Sequence, residues 1–471
     1  MTVEISTHKT LHFIGIGGAG MSAIAKVAIE SGYKVSGSDL KESITTIRLK
    51  EMGAKIFIGQ KYANLKQADI VIVSTAIGQD NPEYKYAIDE KLPILRRAEM
   101  LDELMKRFEK RISIAGTHGK TTTSTMVAKA LVDSQKKPTY LIGADSRDLG
   151  GNAALGTGDY FVAESDESDG SFLALHPNIG VVTNIEADHL DYYKDLENIK
   201  KHFDEFMAGV ISRDGYLIIN GDDPIVTEIA AKYQERCITF GLEKPCDVMA
   251  TKIAFSEEGA RFNVKIKGKD KGEVYLQVFG NHNIANALVV FALALKEALP
   301  LDLVKKSLFE FSGAKRRFQW IGSENNINVY DDYGHHPTEI FTTLEGMRKS
   351  FPDRRIICIF QPHRYTRTRD LLESFPDAFQ FADITFITEV YSANEEKIPK
   401  ISGRLIVKRI KEKFDSDVRF VSKKSDVPKL LLPALRPGDM VITMGAGDIH
   451  TVAKELSAQL KKLYSSSGPQ L

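Results

Sequence analysis

The sequence is short of cysteine, carries no surplus of either charge and contains no long apolar run; each shortage removes a class of protein. Its 471 residues include three cysteines, Cys237, Cys246 and Cys358. They show no C-x-x-C spacing and are odd in number, which argues against a cysteine zinc site or a disulfide frame and leaves reduced thiols. Lys+Arg and Asp+Glu both count 63, so no basic excess exists to form a broad nucleic-acid surface. No uncharged stretch approaches the roughly 18 residues that cross a bilayer. The first residues, MTVEISTHKT, lack a basic-then-apolar pattern, so no signal peptide is expected and the expected location is the cytoplasm. No short-period repeat is present. What remains is a chain with 43% hydrophobic and 27% charged residues, ordinary for a globular protein and long enough for about three domains of roughly 150 residues. Nothing in the composition decides between a monomer and a homodimer.

Along the chain, strand and helix signals alternate. A strand over 11–16, a helix over 21–30, and strands over 34–38 and 70–73 give the beat of a parallel α/β sheet. A polar, charged stretch over 96–111 closes this first unit. A second unit opens with a strand over 112–115 and continues with strands over 160–163, 179–183 and 216–220. Between 247 and 278 the pattern changes to alternating strands around charged turns, and the lysine run NVKIKGKDKGEVYLQV reads as a solvated hairpin. A helix rich in alanine and leucine follows over 283–299. Near Ile321 a third unit begins, with strands at 328–330, 356–360, 384–387 and 441–444; the last residues, SSSGPQL, read as a frayed tail. The expected architecture is three consecutive α/β domains, at 1–108, 109–321 and 322–471: Rossmann-like, P-loop ATPase-like with a mixed sheet, and Rossmann-like again.

The most informative motif is ISIAGTHGKTTTSTM, in which Gly116, Thr117, His118, Gly119, Lys120, Thr121 and Thr122 join a strand to a helix. Glycines let backbone N–H groups turn inward around a phosphate, and the helix N-terminus adds a favourable dipole. Lys120 would place a charge on the β/γ-phosphates and the Thr121 hydroxyl would ligate Mg²⁺. The usual P-loop has four residues between its glycines; here there are two, Thr117 and His118. Two later strands end in ESDESDGSF and NIEADHLD, on the side where doubly wound sheets gather ligands. Glu164 and His189 are candidate ligands of a divalent cation. The alternative is that Asp166, Glu167, Asp169 and Asp188 are solvated loop residues and His189 is structural.

With these motifs, FGNHNIANAL, KRRFQ, DDYGHHPTE, FQPHRYTRT and GIGGAGMS make the chain resemble the Mur ligases over nearly its whole length, most of all their alanine-adding branch. The resemblance implies ATP and Mg²⁺ as cofactors, UDP-N-acetylmuramic acid and L-alanine as substrates, and an acyl-phosphate route. It implies Lys120 on the ATP phosphates, Thr121 and Glu164 on one metal, and His189 at a second. Family members for later amino acids carry a carbamylated lysine downstream of that histidine. The matching stretch here holds His202 and Phe203, with Lys200 and Lys201 offset, as in the alanine-adding branch. His282 and Asn286 would face the adenine, or alternatively form a capping cluster. Arg317 would reach the phosphates and Asp331 or Asp332 the ribose. Arg364 and Arg367 are candidate clamps for the alanine carboxylate or the departing phosphate, since guanidinium matches both. His335, with His336, Tyr333 and His363, is a candidate to position or deprotonate the amine.

Near the start, HFIGIGGAGMSAIA sets Gly15, Gly17 and Gly20 in a G-x-G-x-x-G turn, with Gly18 inside it and Asp39 ending the next strand. Read alone this suggests NAD and an oxidoreductase. The physics is less selective, because a glycine turn at a helix N-terminus accepts any diphosphate. The resemblance gives this turn, with Ser74, to the UDP-sugar. A second alternative is the family member that attaches recycled murein tripeptide.

Overall fold

The computed structural model describes residues 6–465. Three sheets are present, and the chain divides into two compact units. One comprises Met1–Met249, Ile266–Gly268 and Leu288–Ser307; the other comprises Ala250–Lys265, Lys269–Ala287 and Leu308–Leu471.

In the first unit, β1 (Thr10–Ile14), β2 (Lys34–Asp39), β3 (Lys55–Ile58), β4 (Ile70–Val73) and β5 (Ile94–Arg96) form a parallel sheet in the order β3-β2-β1-β4-β5. The order reverses between β1 and β4, which opens a crevice at the carboxyl ends of these strands. β1 is short and apolar, with Leu11, Phe13 and Ile14 fully buried. The helix Ala19–Glu30 lays Met21, Ile24, Ala25, Val27 and Ala28 on the sheet at helical spacing. The charged stretch expected to end this unit instead contains a helix, Arg97–Met105. It buries Ala98, Met100, Leu101, Leu104 and Met105, with Asp102 buried among them, and leaves Arg97, Glu99 and Glu103 more exposed.

The middle sheet continues the same unit. β6 (Lys110–Ala115), β7 (Thr139–Ser146), β8 (Gly151–Ala154), β9 (Tyr160–Glu164), β10 (Ile179–Val182), β11 (Tyr216–Asn220) and β12 (Cys237–Gly241) take the order β12-β11-β10-β6-β9-β7-β8. β8 is antiparallel to β7, while β6 is parallel to both neighbours. Leu141, Ala153, Phe161 and Leu175 share one apolar cluster with Leu11, Phe13 and Ile24. This shared core packs the first sheet and β7–β9 of the middle sheet into one compact unit. At the base of the sheet Glu297 accepts from Tyr160 OH (2.8 Å) and Tyr216 OH (2.9 Å) and pairs with Lys110. Three strands are thereby tied to the end of the helix Asn281–Glu297.

In the second unit, β13 (Val248–Ser256), β14 (Gly259–Ile266) and β15 (Lys269–Leu276) are neighbours in strand order, and the lysine-rich turn at 267–270 is exposed as expected. The last sheet contains β16 (Gln319–Glu324), β17 (Ile327–Asp332), β18 (Ile356–Phe360), β19 (Ile384–Thr388), β20 (Asp417–Val421) and β21 (Met440–Met444), in the order β16-β17-β21-β18-β19-β20. Only β16 runs antiparallel, paired Gln319 to Asp331, so this fold begins just before Ile321. Cys358 lies fully buried in β18, and burial raises the thiol pKa of all three cysteines, that of Cys237 to about 11. Among the described residues no helix is long and apolar enough to cross a membrane. Beyond Ser465 the expected frayed tail lies outside the described residues.

Candidate functional site

The phosphate loop leaves β6 and is shaped by two left-handed glycines, Gly116 (φ 136°) and Gly119 (φ 83°), before the helix Lys120–Asp133 begins. A side chain at Gly116 would collide with the Thr183 hydroxyl, so glycine is required there for space as well as for φ. The end of β10 holds the loop. Thr117 N–H donates to Asn184 O (3.0 Å) and His118 N–H to Asn184 Oδ1 (2.8 Å). Thr183 Oγ1 donates to His118 O (2.6 Å), and Glu186 N–H donates to Thr117 Oγ1 (2.9 Å).

Lys120 curls back over this loop. Its ammonium donates to Gly116 O (2.7 Å), Thr117 O (3.0 Å) and Glu167 (2.8 Å). Burial disfavours that charge, but Glu167, Glu164 and Asp166 outweigh it and hold the lysine pKa above its usual value. Thr121 Oγ1 donates to Glu164 Oε1 (3.0 Å), whose other oxygen accepts from Gly143 N–H (2.8 Å). Thr122 is buried in the first turn. His189 takes a left-handed conformation (φ 53°) and turns Nε2 to within 3.6 Å of Asp188 and 4.0 Å of Glu167. A hydroxyl and a carboxylate at hydrogen-bond distance, with an imidazole nearby, offer the hard oxygen and nitrogen donors that suit a divalent cation.

The solvated-loop alternative fails for Glu167, which is 4% exposed. Burial, against the pull of Lys120, pushes its carboxyl up to about 7. Asp188 is also largely covered, and Asp166 pairs with Arg97 at 3.0 Å. Downstream, Phe203 is core, His202 Nδ1 lies 2.8 Å from Asn198 O, and Lys200 pairs with Glu197 and Glu228. Each of these side chains is thus occupied within its own helix and the neighbouring Glu228.

At the carboxyl ends of the first sheet, Gly15 is left-handed (φ 77°) and Gly18 N–H closes the turn on Gly15 O (3.2 Å). Asp39 Oδ2 accepts from Gly17 N–H (2.9 Å), so this acid supports the turn directly. Gly20 lies against Arg97: a Cβ there would sit 2.9 Å from the guanidinium. Ser74, half-buried, follows β4 and accepts from Ala76 N–H (3.3 Å). Arg97 was missed in the sequence. It touches the glycine turn and pairs with Asp166, one residue before Glu167, but a single arginine in a charged stretch carries no motif.

In the second unit, His282 Nδ1 is buried without a hydrogen bond among the described residues. Burial and Arg317 lower the ring's pKa to about 4. Asn286 Nδ2 donates to Asn283 Oδ1 (3.4 Å). Arg317 lies 3.5 Å from Glu339 and over the Tyr333 ring. Asp331 is spent on Arg316 (3.0 Å) and Thr443 (2.6 Å). Asp332 accepts from the Phe318 and Gly334 amides (2.7 and 2.6 Å), and burial, opposed by Arg317, raises its carboxyl to about 6. His335 N–H donates to Glu339 Oε2 (2.9 Å), and the His335 ring lies 5.9 Å from that of His363. His336 caps the helix Pro337–Ser350. Arg364, left-handed (φ 68°), precedes the short helix Tyr365–Asp370, and Arg367 lies 3.2 Å from His363 Nδ1. His363 stacks on Tyr391, and burial with Arg367 and Arg364 lowers its pKa to about 4. Sequence reading missed Tyr391.

Three family models match in succession: the Mur ligase family catalytic domain over 10–109, the Mur ligase middle domain over 114–294, and the Mur ligase glutamate ligase domain over 316–447. The chain belongs to the Mur ligase family. Among curated Mur ligases, the UDP-N-acetylmuramate–L-alanine ligase of Myxococcus xanthus is 44% identical over 451 residues, covering 96% of this chain and 95% of the relative. The ligase of the same name from Aquifex aeolicus is 41% identical over 447 residues, covering 95% and 97%. Among solved structures, UDP-N-acetylmuramate-alanine ligase of Thermotoga maritima matches with a TM-score of 0.81 at 32% identity, covering 98% of this chain and all of that one. A murein peptide ligase from Psychrobacter arcticus matches with a TM-score of 0.68 at 26% identity, covering 96% of this chain and 98% of that one. Within this family the nicotinamide reading of the glycine turn finds no support, because residues 10–109 match a Mur ligase domain.

Proposed function

We propose that this protein joins L-alanine to the carboxylate of UDP-N-acetylmuramic acid, using ATP and releasing ADP and phosphate, in the cytoplasm. The observation that carries the reading is the clustering of the Lys120 ammonium, the Thr121–Glu164 pair and His189 around one phosphate loop. The full-length relatives point to the same reaction.

A carboxylate meets ATP with difficulty because both are anions. Lys120 would neutralise the β/γ-phosphates, and the N–H groups of Gly119, Lys120, Thr121 and Thr122 at the helix start would hold them in place. Thr121 and Glu164 would hold one Mg²⁺ and His189 a second, which when bound offset charge on the transferring phosphoryl group. The sugar's diphosphate would rest on Gly15, Gly17, Gly18 and Gly20, with Asp39 and Ser74 at the edge of that turn. The muramyl carboxylate oxygen attacks the γ-phosphorus and ADP leaves, giving an acyl phosphate. The alanine amine then adds to the acyl carbon and gives up a proton as phosphate departs.

In the second unit, His282 and Asn286 would meet the adenine edge, Arg317 the phosphates and Asp332 the ribose. Arg364 and Arg367 would hold the alanine carboxylate or the departing phosphate. His335 would position the amine, with the His363 ring 5.9 Å away at the edge of the same pocket. On this reading 1–108 take the sugar nucleotide, 109–321 take ATP, and 322–471 take the amino acid together with part of the nucleotide.

The test is ADP release with Mg²⁺, ATP and UDP-N-acetylmuramic acid across a panel of free amino acids and the murein tripeptide. Turnover with L-alanine is expected. Turnover with tripeptide alone would move the protein to that branch, and no turnover with any acceptor would reject ligation.

A further inference from the structure

A second cavity opens on the first sheet, at the edge away from the glycine turn. It has a volume of about 560 Å³ and is lined at the amino ends of three strands by Thr10, Lys34, Ser36, Lys55 and Phe57, and beside them by Tyr33. Gly15, Asp39 and Ser74 sit at the opposite, carboxyl ends. Five residues of extended strand separate Thr10 from Gly15, roughly 16 Å, so this cavity is not part of the diphosphate site.

Its chemistry is one-sided. Three lysines, Lys34, Lys55 and Lys66, line it together with Asn64 and Gln67, and no carboxylate does. The nearby acid Asp69 is turned to the Thr10 amide (2.7 Å). Flat apolar surface comes from Phe57, with the edge of the buried Tyr33 beside it, and each ring faces a cation: Lys55 Nζ lies 5.3 Å from the Phe57 ring centre, and Arg107 lies 4.7 Å from that of Tyr33. Ile29, Val35 and Met52 complete the apolar wall.

The polar part of that wall is fixed from behind. Ser36 Oγ lies 2.9 Å from His12 Nδ1, and the Asn64 amide donates to Glu83 Oε1 (2.6 Å). His12 and Glu83 are fully buried and 3.6 Å apart. A cavity of this size, with apolar walls, a few placed polar groups and one sign of charge, is the form small-molecule sites take.

We infer that this cavity is an accessory binding site for a small organic anion: a planar apolar body that lies against Phe57 and Tyr33 and carries a sulfonate, carboxylate or phosphate that meets Lys34, Lys55 and Lys66. It is separate from both substrate sites.

The probe is 8-anilinonaphthalene-1-sulfonate, followed by fluorescence on the intact protein with UDP and ADP at saturating concentration. One saturable site is expected. Its Kd should rise at least tenfold in the double variant Lys55→Glu, Lys66→Glu, and again in Ala63→Trp, which fills the cavity from an exposed position without changing charge. ADP release should stay near the parent rate in both, showing that they fold. Equal probe binding in parent and variants, or loss of the signal when UDP and ADP are added, would overturn the inference.

Discussion

At the scale of single residues, the Lys120 side chain is held by two loop carbonyls and Glu167. Lys120→Ala should lower ATP-dependent turnover by about 10³-fold, as loss of a group stabilising transition-state charge does. UDP binding, measured by calorimetry, should change little because the glycine turn is built from other residues. His282 supports a pH prediction. Its folded pKa of about 4 lies below the ordinary 6.5, so its contribution to stability is present above pH 6.5 and lost as pH falls toward 4. Denaturant titrations of the parent should lose up to ~2 kcal/mol more across that window than those of His282→Asn, after discounting for the ring's partial exposure. The same residues show what a sequence can and cannot disclose. Lys120 and Thr121 are legible because strand, glycines and helix fix their direction. Glu167 is not, because ESDESDGSF contains several acids and only folding decides which one is buried. Asp331 and Asp332 are adjacent in sequence, yet one is consumed by Arg316 and Thr443 while the other holds two amides.

At the scale of elements, β1 and β6 each run into a glycine turn and a helix, and both were readable from short apolar runs that end in Gly15 or Gly116. Short strands without a motif, such as β5 and β20, were not, since three to five residues carry too little pattern to stand out from a loop. The helix Arg97–Met105 was hidden because its apolar residues are interleaved with charges at a spacing easily read as a polar linker. The helix Asn281–Glu297 was legible in its body but not in its function as an anchor. Its last residue joins β6, β9 and β11 through Lys110, Tyr160 and Tyr216. Burial works against the Glu297 charge, but these three partners hold its pKa below the usual value. Glu297→Leu should therefore destabilise the fold by about 2–3 kcal/mol in urea unfolding, below the full cost of an unpaired buried charge because Lys110 reaches solvent.

At the scale of the whole molecule, composition suggested three domains. Three Mur ligase domain models match in succession, while packing merges the core of the first domain with part of the second through the cluster that joins Phe13 and Ile24 to Leu141 and Phe161. Patterning along the chain cannot reveal such a merger, because a residue buried between two sheets looks the same in sequence as one buried beneath either. Both the glycine turn and the phosphate loop belong to that unit, so UDP and ADP should each stabilise it. At a hundredfold excess over Kd, either nucleotide should add about 2.7 kcal/mol, and the two effects should sum in a thermal-shift series. The scarcity of cysteine acquires a practical meaning here. With Cys358 buried, Cys237 and Cys246 half-buried and all three pKa values raised, almost none of the reactive thiolate exists at neutral pH. N-ethylmaleimide at pH 7 should leave intact-mass spectra unchanged over minutes, so a single cysteine placed on the surface would accept a fluorophore selectively, with the native three left in place.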